Sequence, residues 1–171
     1  MNDKINDATA KMLELAKQYY NTDTLPDDFT TRLVYVPPRV DADTLAVYPL
    51  VDGRVPFIMY PQLLSKVPAG KITRWADIYA MIKKMYGVDG EKIDSLPYLD
   101  IHENLLPRWR IVGDNGAVNG CCNHNNEDRE VQRENLEEEG IPIVMRGKYA
   151  CAVENYENYL FDYNTLKIVM K

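Results

Sequence analysis

Val67-Pro-Ala-Gly-Lys-Ile-Thr-Arg-Trp-Ala-Asp-Ile-Tyr79 and Leu106-Pro-Arg-Trp-Arg-Ile-Val-Gly-Asp-Asn-Gly-Ala-Val-Asn-Gly120 are the two stretches on which the fold turns, and Glu137-Glu-Glu-Gly-Ile141 closes the pattern. In the first, Pro68-Ala-Gly70 reads as a turn, since proline presets φ and glycine accepts a positive φ. Thr73 is then the predicted N-cap of a helix whose buried stripe is Ile78, Met81, Ile82 and Met85, ended by Gly87. The second stretch reads as strand, turn, strand: Arg110 to Val112, the tight turn Asp114-Asn-Gly116, then Ala117 to Val118. Strand alternation would put Arg108 and Arg110 on one face, with Trp109 and Ile111 on the other, core-facing side. The third stretch ends a charged helix, 127–139, at Gly140.

Working outward, residues 3–20 carry Ile5, Ala8, Met12, Leu15, Ala16 and Tyr19 at helical spacing and read as an amphipathic helix. A polar loop, 21–28, follows. Arg32-Leu-Val-Tyr-Val36 is a β-rich run stopped by Pro37-Pro38. Residues 45–51 and 55–59 flank Asp52-Gly53 as a candidate hairpin, and 60–66 reads as a short helix. At the far end, 149–153, 159–161 and 166–170 read as strands.

With 171 residues the chain suits one domain with small extensions. An apolar fraction of 46% with 27% charged residues is ordinary for a soluble protein with a real core. No run approaches the ~20 apolar residues of a membrane-spanning helix. Three cysteines make no disulfide framework, and the first residues lack the pattern of a signal peptide. A reduced, cytoplasmic protein without a membrane partner is expected. The net charge is −6, an obstacle for a nucleic-acid binder unless the charge is unevenly distributed. Residues 65–110 hold eight Lys or Arg against six acids, whereas 111–140 hold two against eight.

Together the three stretches resemble the DNA-binding domain of the alkylguanine-DNA alkyltransferases. That family carries a pattern close to IPxGxVxTYxDIA, then PCHRV, then a DGxLxG turn and a helix ending in EG. The resemblance covers about 57–141, and Gly70 and Pro107 lie 37 positions apart, close to the family spacing. It implies an α+β fold: a winged helix-turn-helix core of the alkyltransferase type over 57–141. An N-terminal helix and strands (1–56) would pack on that core, and a C-terminal β-rich extension (142–171) would follow it.

In the family, the Cys of PCHRV takes the alkyl group, activated through a His and a Glu. Here Arg108 stands at the Cys, Trp109 at the His and Arg110 at the Arg, while Glu139 falls on the Glu of the EG pair. No alkyl transfer is expected at Arg108. Arg110 and Glu139 are read as a structural ion pair. Alkyltransferase-like relatives also lack the Cys, usually with Trp in its place, and bind alkylated guanine without repairing it. Trp75 occupies the Tyr position of the family's first helix, whose ring helps rotate the damaged nucleotide outward. An indole near a helix start also packs readily against a core, so both roles stand open.

The family's second helix carries an arginine finger. The matching stretch here, 88–104, contains no Arg, five acids, Lys92 and a helix-breaking Pro97, which disfavours an approach to phosphates. Cys121-Cys122-Asn-His124 is a second candidate for chemistry, but its partners for a closed zinc site, Cys151 and His102, are remote. No metal or cofactor is expected.

The expected function is a non-enzymatic, alkyltransferase-like protein that binds double-stranded DNA weakly, or an alkylated base. Arg74, Trp75, Arg108, Trp109 and Arg110 would be the DNA-binding residues, with Glu139 as structural support. The alternative is a degenerate scaffold acting as a protein-interaction module without nucleic-acid binding.

Overall fold

The computed structural model describes residues 42–88 (apart from 52, 57 and 58), 107–120 and 125–171. The helix expected at 3–20, the strand at 32–36, most of the 88–104 stretch, and Cys121, Cys122, His124 and His102 lie outside the described residues. In chain order the elements are strand β1 (Thr44–Val47), helix α1 (Met59–Ser65), strand β2 (Thr73–Arg74) and helix α2 (Trp75–Tyr86). A 3-10 turn, Arg108–Arg110, leads into strand β3 (Ile111–Val112). Helix α3 (Asn126–Glu138), strands β4 (Ile143–Met145) and β5 (Cys151–Val153), 3-10 turns at Tyr156–Asn158 and Tyr163–Thr165, and strand β6 (Lys167–Met170) complete the set among the described residues. The chain is thus of mixed helix and strand content. Among the described residues no helix is long and apolar enough to cross a membrane.

Two hydrophobic clusters organise these elements. The first gathers β1, α1 and α2 around Leu45, Met59, Leu63, Leu64, Ile78 and Ile82, all fully buried. Along α2, Ile78, Met81 and Ile82 are buried as their spacing predicts, Met85 packs beside them half-buried, and Gly87 ends the helix in the left-handed region at φ 69°. The second cluster lies under β3 and α3 and contains Ile72, Val112, Val118, Leu136, Ile141 and Val153.

The strand pairing departs from the hairpin expected at 45–51 and 55–59. Among the described residues there, only the Val51–Arg54 bridge forms. β1 instead pairs in parallel with β6, Thr44 opposite Lys167 through Val47 opposite Met170. On its other edge the buried Gln62 side chain takes the place of a strand: its Oε1 accepts from Ala46 N at 2.8 Å and its Nε2 donates to Ala46 O at 2.9 Å. A buried amide that completes a strand's hydrogen bonds avoids the cost of orphaned backbone groups.

β2 pairs in parallel with β3, Thr73 opposite Ile111, while Ile72 exchanges backbone hydrogen bonds with Tyr159 and Phe161 on its other side. Residues 116–118 bond to β5, which pairs antiparallel with β4. The segment 142–171 therefore supplies partners to β1, to Ile72 and to the 116–118 segment.

Thr73 is not the N-cap of α2. It lies buried in β2, its hydroxyl 3.1 Å from the hydroxyl of buried Tyr163. The cap falls one residue later at Arg74, whose backbone N–H donates to the Asp77 carboxylate at 3.1 Å. An acidic residue three positions after the cap satisfies one orphan N–H and complements the helix dipole.

Candidate functional site

The three quoted stretches meet at one carboxylate. Pro68-Ala-Gly70 forms a tight turn closed by Lys71 N–H donating to Pro68 O at 3.1 Å, with Gly70 at φ +82°. Glycine suits this turn because its third residue needs a positive φ. Gly70 N–H then donates to Glu139 Oε2 at 3.1 Å. Glu139 follows directly after α3, so the end of that helix is held against the turn.

From the other side, Trp109 Nε1 donates to Glu139 Oε1 at 2.9 Å. Arg110 donates through Nε at 3.0 Å to each oxygen and through Nη2 at 2.6 Å. Its remaining Nη1 donates to Val67 O at 2.7 Å. The Arg110–Glu139 pair is well shielded, with side chains 14% and 13% exposed. The structural ion pair read from the sequence is therefore present, and it extends into a staple joining residues 67–70, 109–110 and 139.

Burial alone would raise the Glu139 pKa. The hydrogen bonds from Arg110, Trp109 and Gly70 outweigh it and hold this carboxyl below the ordinary glutamate value. A carboxylate offers about four acceptor positions, and these donors take them up.

The strand alternation expected at 108–111 does not hold. Arg108–Arg110 is a 3-10 turn, closed by Arg110 N–H donating to Pro107 O at 3.0 Å, and β3 begins at Ile111. A three-residue repeat replaces a two-residue one, so Trp109 and Arg110 both reach Glu139 instead of pointing to opposite faces. Trp109 is half-buried against the second cluster, short of the full burial expected for it, and the Arg110 guanidinium lies 5.5 Å from its ring centroid. Arg108 is half-buried at the first position of the turn.

Arg74 and Trp75 lie at the start of α2. The Arg74 guanidinium grips Asp77 through two hydrogen bonds of 2.8 and 2.7 Å, and the hydrogen bond to Asp77 is the main reason its pKa is raised. Nη1 reaches Asp114 O at 3.4 Å, and the guanidinium lies 5.8 Å from the Tyr156 ring centroid. Arg74 thus ties α2 to the Asp114-Asn-Gly116 turn. Gly116, at φ +74°, packs so closely on Tyr156 that a Cβ there would meet the tyrosine Cβ at 2.7 Å. Trp75 is partly buried against the first cluster, its ring stacked on Tyr79 at 6.0 Å between centroids.

Gln132 is the residue that sequence reasoning missed. It is buried in α3, where its Nε2 donates to Trp109 O at 3.1 Å and Ile111 O at 2.7 Å, while its Oε1 accepts from Gly120 N at 2.9 Å. One side chain thereby holds the 108–110 turn, β3 and the segment after the 114–116 turn. The available signal was its position four residues before Leu136, on the one buried stripe of a charged helix. Replacing Gln132 by leucine would leave three backbone groups unsatisfied. The expected cost is about 3 kcal/mol, read as a lowered midpoint in chemical denaturation with an unchanged slope.

Among the described residues, no three His, Cys, Asp or Glu side chains come together as a metal site. Cys151 is buried in β5, and burial pushes its thiol pKa up, away from a reactive thiolate.

No protein-family model matches the sequence, and no curated protein does. Among solved structures, the chain overlays on S. pombe Atl1 in complex with damaged DNA containing O6-carboxymethylguanine. The overlay has a TM-score of 0.47 and 16% identity, spanning 67% of this chain and 98% of that one. So distant an overlap carries no functional inference.

Proposed function

We propose that this chain is a non-enzymatic, alkyltransferase-like protein that binds DNA or an alkylated base. One observation supports it above the rest: the segments that carry the sequence resemblance, far apart in the chain, converge on Glu139 through Gly70, Trp109 and Arg110. In the family the residue at the Trp109 position is a histidine that links the nucleophile to the glutamate. The indole keeps the donor half of that link. Its N–H is donor only, so it cannot accept a proton from a nucleophile. With Arg108 in the nucleophile's place, the arrangement retains a family scaffold without its chemistry.

In this reading 57–141 is a winged helix-turn-helix core flanked by 1–56 and 142–171. Arg108 meets phosphate or a base edge, and Trp75 or Trp109 stacks on a base. Arg74 and Arg110, held by Asp77 and Glu139, act chiefly by fixing the surface that the others present.

Titration of a fluorescent duplex, with and without an alkylated guanine, tests the reading. Weak binding is expected that falls steeply as salt rises, with a log–log slope of roughly −0.9 for each phosphate neutralised. Trp75→Ala should reduce any preference for the modified duplex more than it reduces binding to the plain one. The intact mass should show no methyl gain after incubation with methylguanine DNA. Absence of binding at ~50 mM salt, where phosphate contacts are strongest, would overturn the proposal. The interaction-scaffold reading would then stand, favoured by the same neutralisation of Arg74 and Arg110 and by the net charge of −6.

A further inference from the structure

A cleft of about 180 Å³ opens between the first turns of α3 and the β4–β5 hairpin. Among the described residues, Arg129 and Arg133 line it from the helix and Lys148 from the hairpin, with Glu130 as the lining carboxylate and Glu137 paired to Arg133 beside it. In a chain of net charge −6, three cations gathered around one concavity are a local concentration of positive charge. Tyr149 and Met145 also line it, 48% and 53% exposed, with Lys148 Nζ 5.2 Å from the Tyr149 ring centroid.

The cations are not locked away from a ligand. Arg133 contacts Glu130 at 3.4 Å and Glu137 at 3.2 Å, both carboxylates well exposed, and such helix-surface pairs contribute little. Arg129 donates to Asn126 at 3.3 Å, a long hydrogen bond between neutral and charged partners. A dianion with several acceptor oxygens competes well for two guanidinium forks and an ammonium.

From this geometry we propose that the cleft binds a phosphate monoester carried on a flat ring, the phosphate between Arg129, Arg133 and Lys148 and the ring against Tyr149. The volume fits that division, being smaller than the roughly 300–1,000 Å³ of whole small-molecule pockets, so it takes a head group and leaves the ring at the rim. Large exposed apolar side chains beside a charged concavity are what such a rim needs. Binding is non-covalent, made of ion pairs and ring contact, and the Cys151 thiol on the lining is buried.

This site is separate from the Glu139 cluster. At 1.5 Å rise per residue, Arg129 and Glu139 are spaced by about 15 Å along the helix.

The test is a nuclear-magnetic-resonance titration of the full chain with phenyl phosphate, inorganic phosphate and phenol as probes. Phenyl phosphate should give saturable shifts confined to amides of 126–133 and 145–151. Inorganic phosphate should bind several-fold more weakly, and phenol should not saturate. The double variant R129Q/K148Q, on exposed and half-exposed positions, should weaken phenyl phosphate tenfold or more while leaving the melting temperature and duplex-DNA binding unchanged. Tyr149→Ala should erase the advantage of phenyl over inorganic phosphate. No saturation by ~10 mM phenyl phosphate, where even millimolar affinity would show, overturns the proposal. So does equal binding by all three probes, or an affinity that the double variant leaves intact.

Discussion

Replacing Glu139 by alanine is expected to destabilise the protein by about 3–5 kcal/mol, the usual consequence of removing one member of a shielded, hydrogen-bonded ion pair. The loss exceeds that of a surface pair because the carboxylate serves three segments at once. Its removal leaves the Arg110 fork, the Trp109 indole N–H and the Gly70 N–H without their acceptor. The effect should also depend on pH in a defined direction. Because the folded-state pKa of Glu139 lies below the ordinary value of 4.5, its contribution is fully present above that value. It disappears as pH falls through the folded-state pKa. The stability gap between the parent protein and Glu139→Ala, measured by denaturant melts from neutral pH downward, should therefore be widest at neutrality and narrow in acid. A gap that stays constant across the acid range would mean that the carboxylate contributes through packing and not through its charge.

What the sequence made legible follows from the range of the physics involved. The buried face of α2 could be read because Ile78, Met81 and Ile82 repeat at helical spacing, and its end because Gly87 accepts a positive φ. The Pro68-Ala-Gly70 turn and the Asp114-Asn-Gly116 turn were readable for the same reason, since their signals lie within a few residues. The Arg110–Glu139 pair came from the resemblance and not from any local pattern.

The pairing of β1 with β6 had no comparable signal. Four-residue strands from opposite ends of the described chain carry nothing in their composition that names the partner, and the Asp52-Gly53 turn offered a plausible local one. At 108–110 the failure was of period. Over three residues, alternation and a three-residue repeat cannot be told apart by burial preference, and closure onto the Pro107 carbonyl decides for the 3-10 turn. Gln132 escaped notice because a polar side chain on a charged helix ordinarily faces water. Its role depends on backbone groups that only the folded chain brings within reach.

The same distinction governs the candidate interface, where Arg108 and Arg110 should separate cleanly by experiment. Read as a strand, the two arginines shared one face, and removing both would flatten the salt dependence of DNA binding by about two charges. The 3-10 turn changes that expectation. Arg110 gives its guanidinium to Glu139 and Val67 O, so its net charge is largely cancelled at the surface. Arg110→Ala should act mainly on stability, lowering the melting midpoint, with little change in the salt slope measured at a temperature where the variant remains folded. The acceptor positions of that carboxylate are taken up by Arg110, Trp109 and Gly70. If Arg108 meets a phosphate, Arg108→Gln should reduce the slope by about 0.9 and weaken binding across duplex sequences alike. If it reads a base edge instead, the slope should hold while discrimination against the unmodified duplex falls by roughly 1–3 kcal/mol. A variant that binds DNA as the parent does at every salt concentration would remove Arg108 from the interface, and with it the central contact of the proposed function.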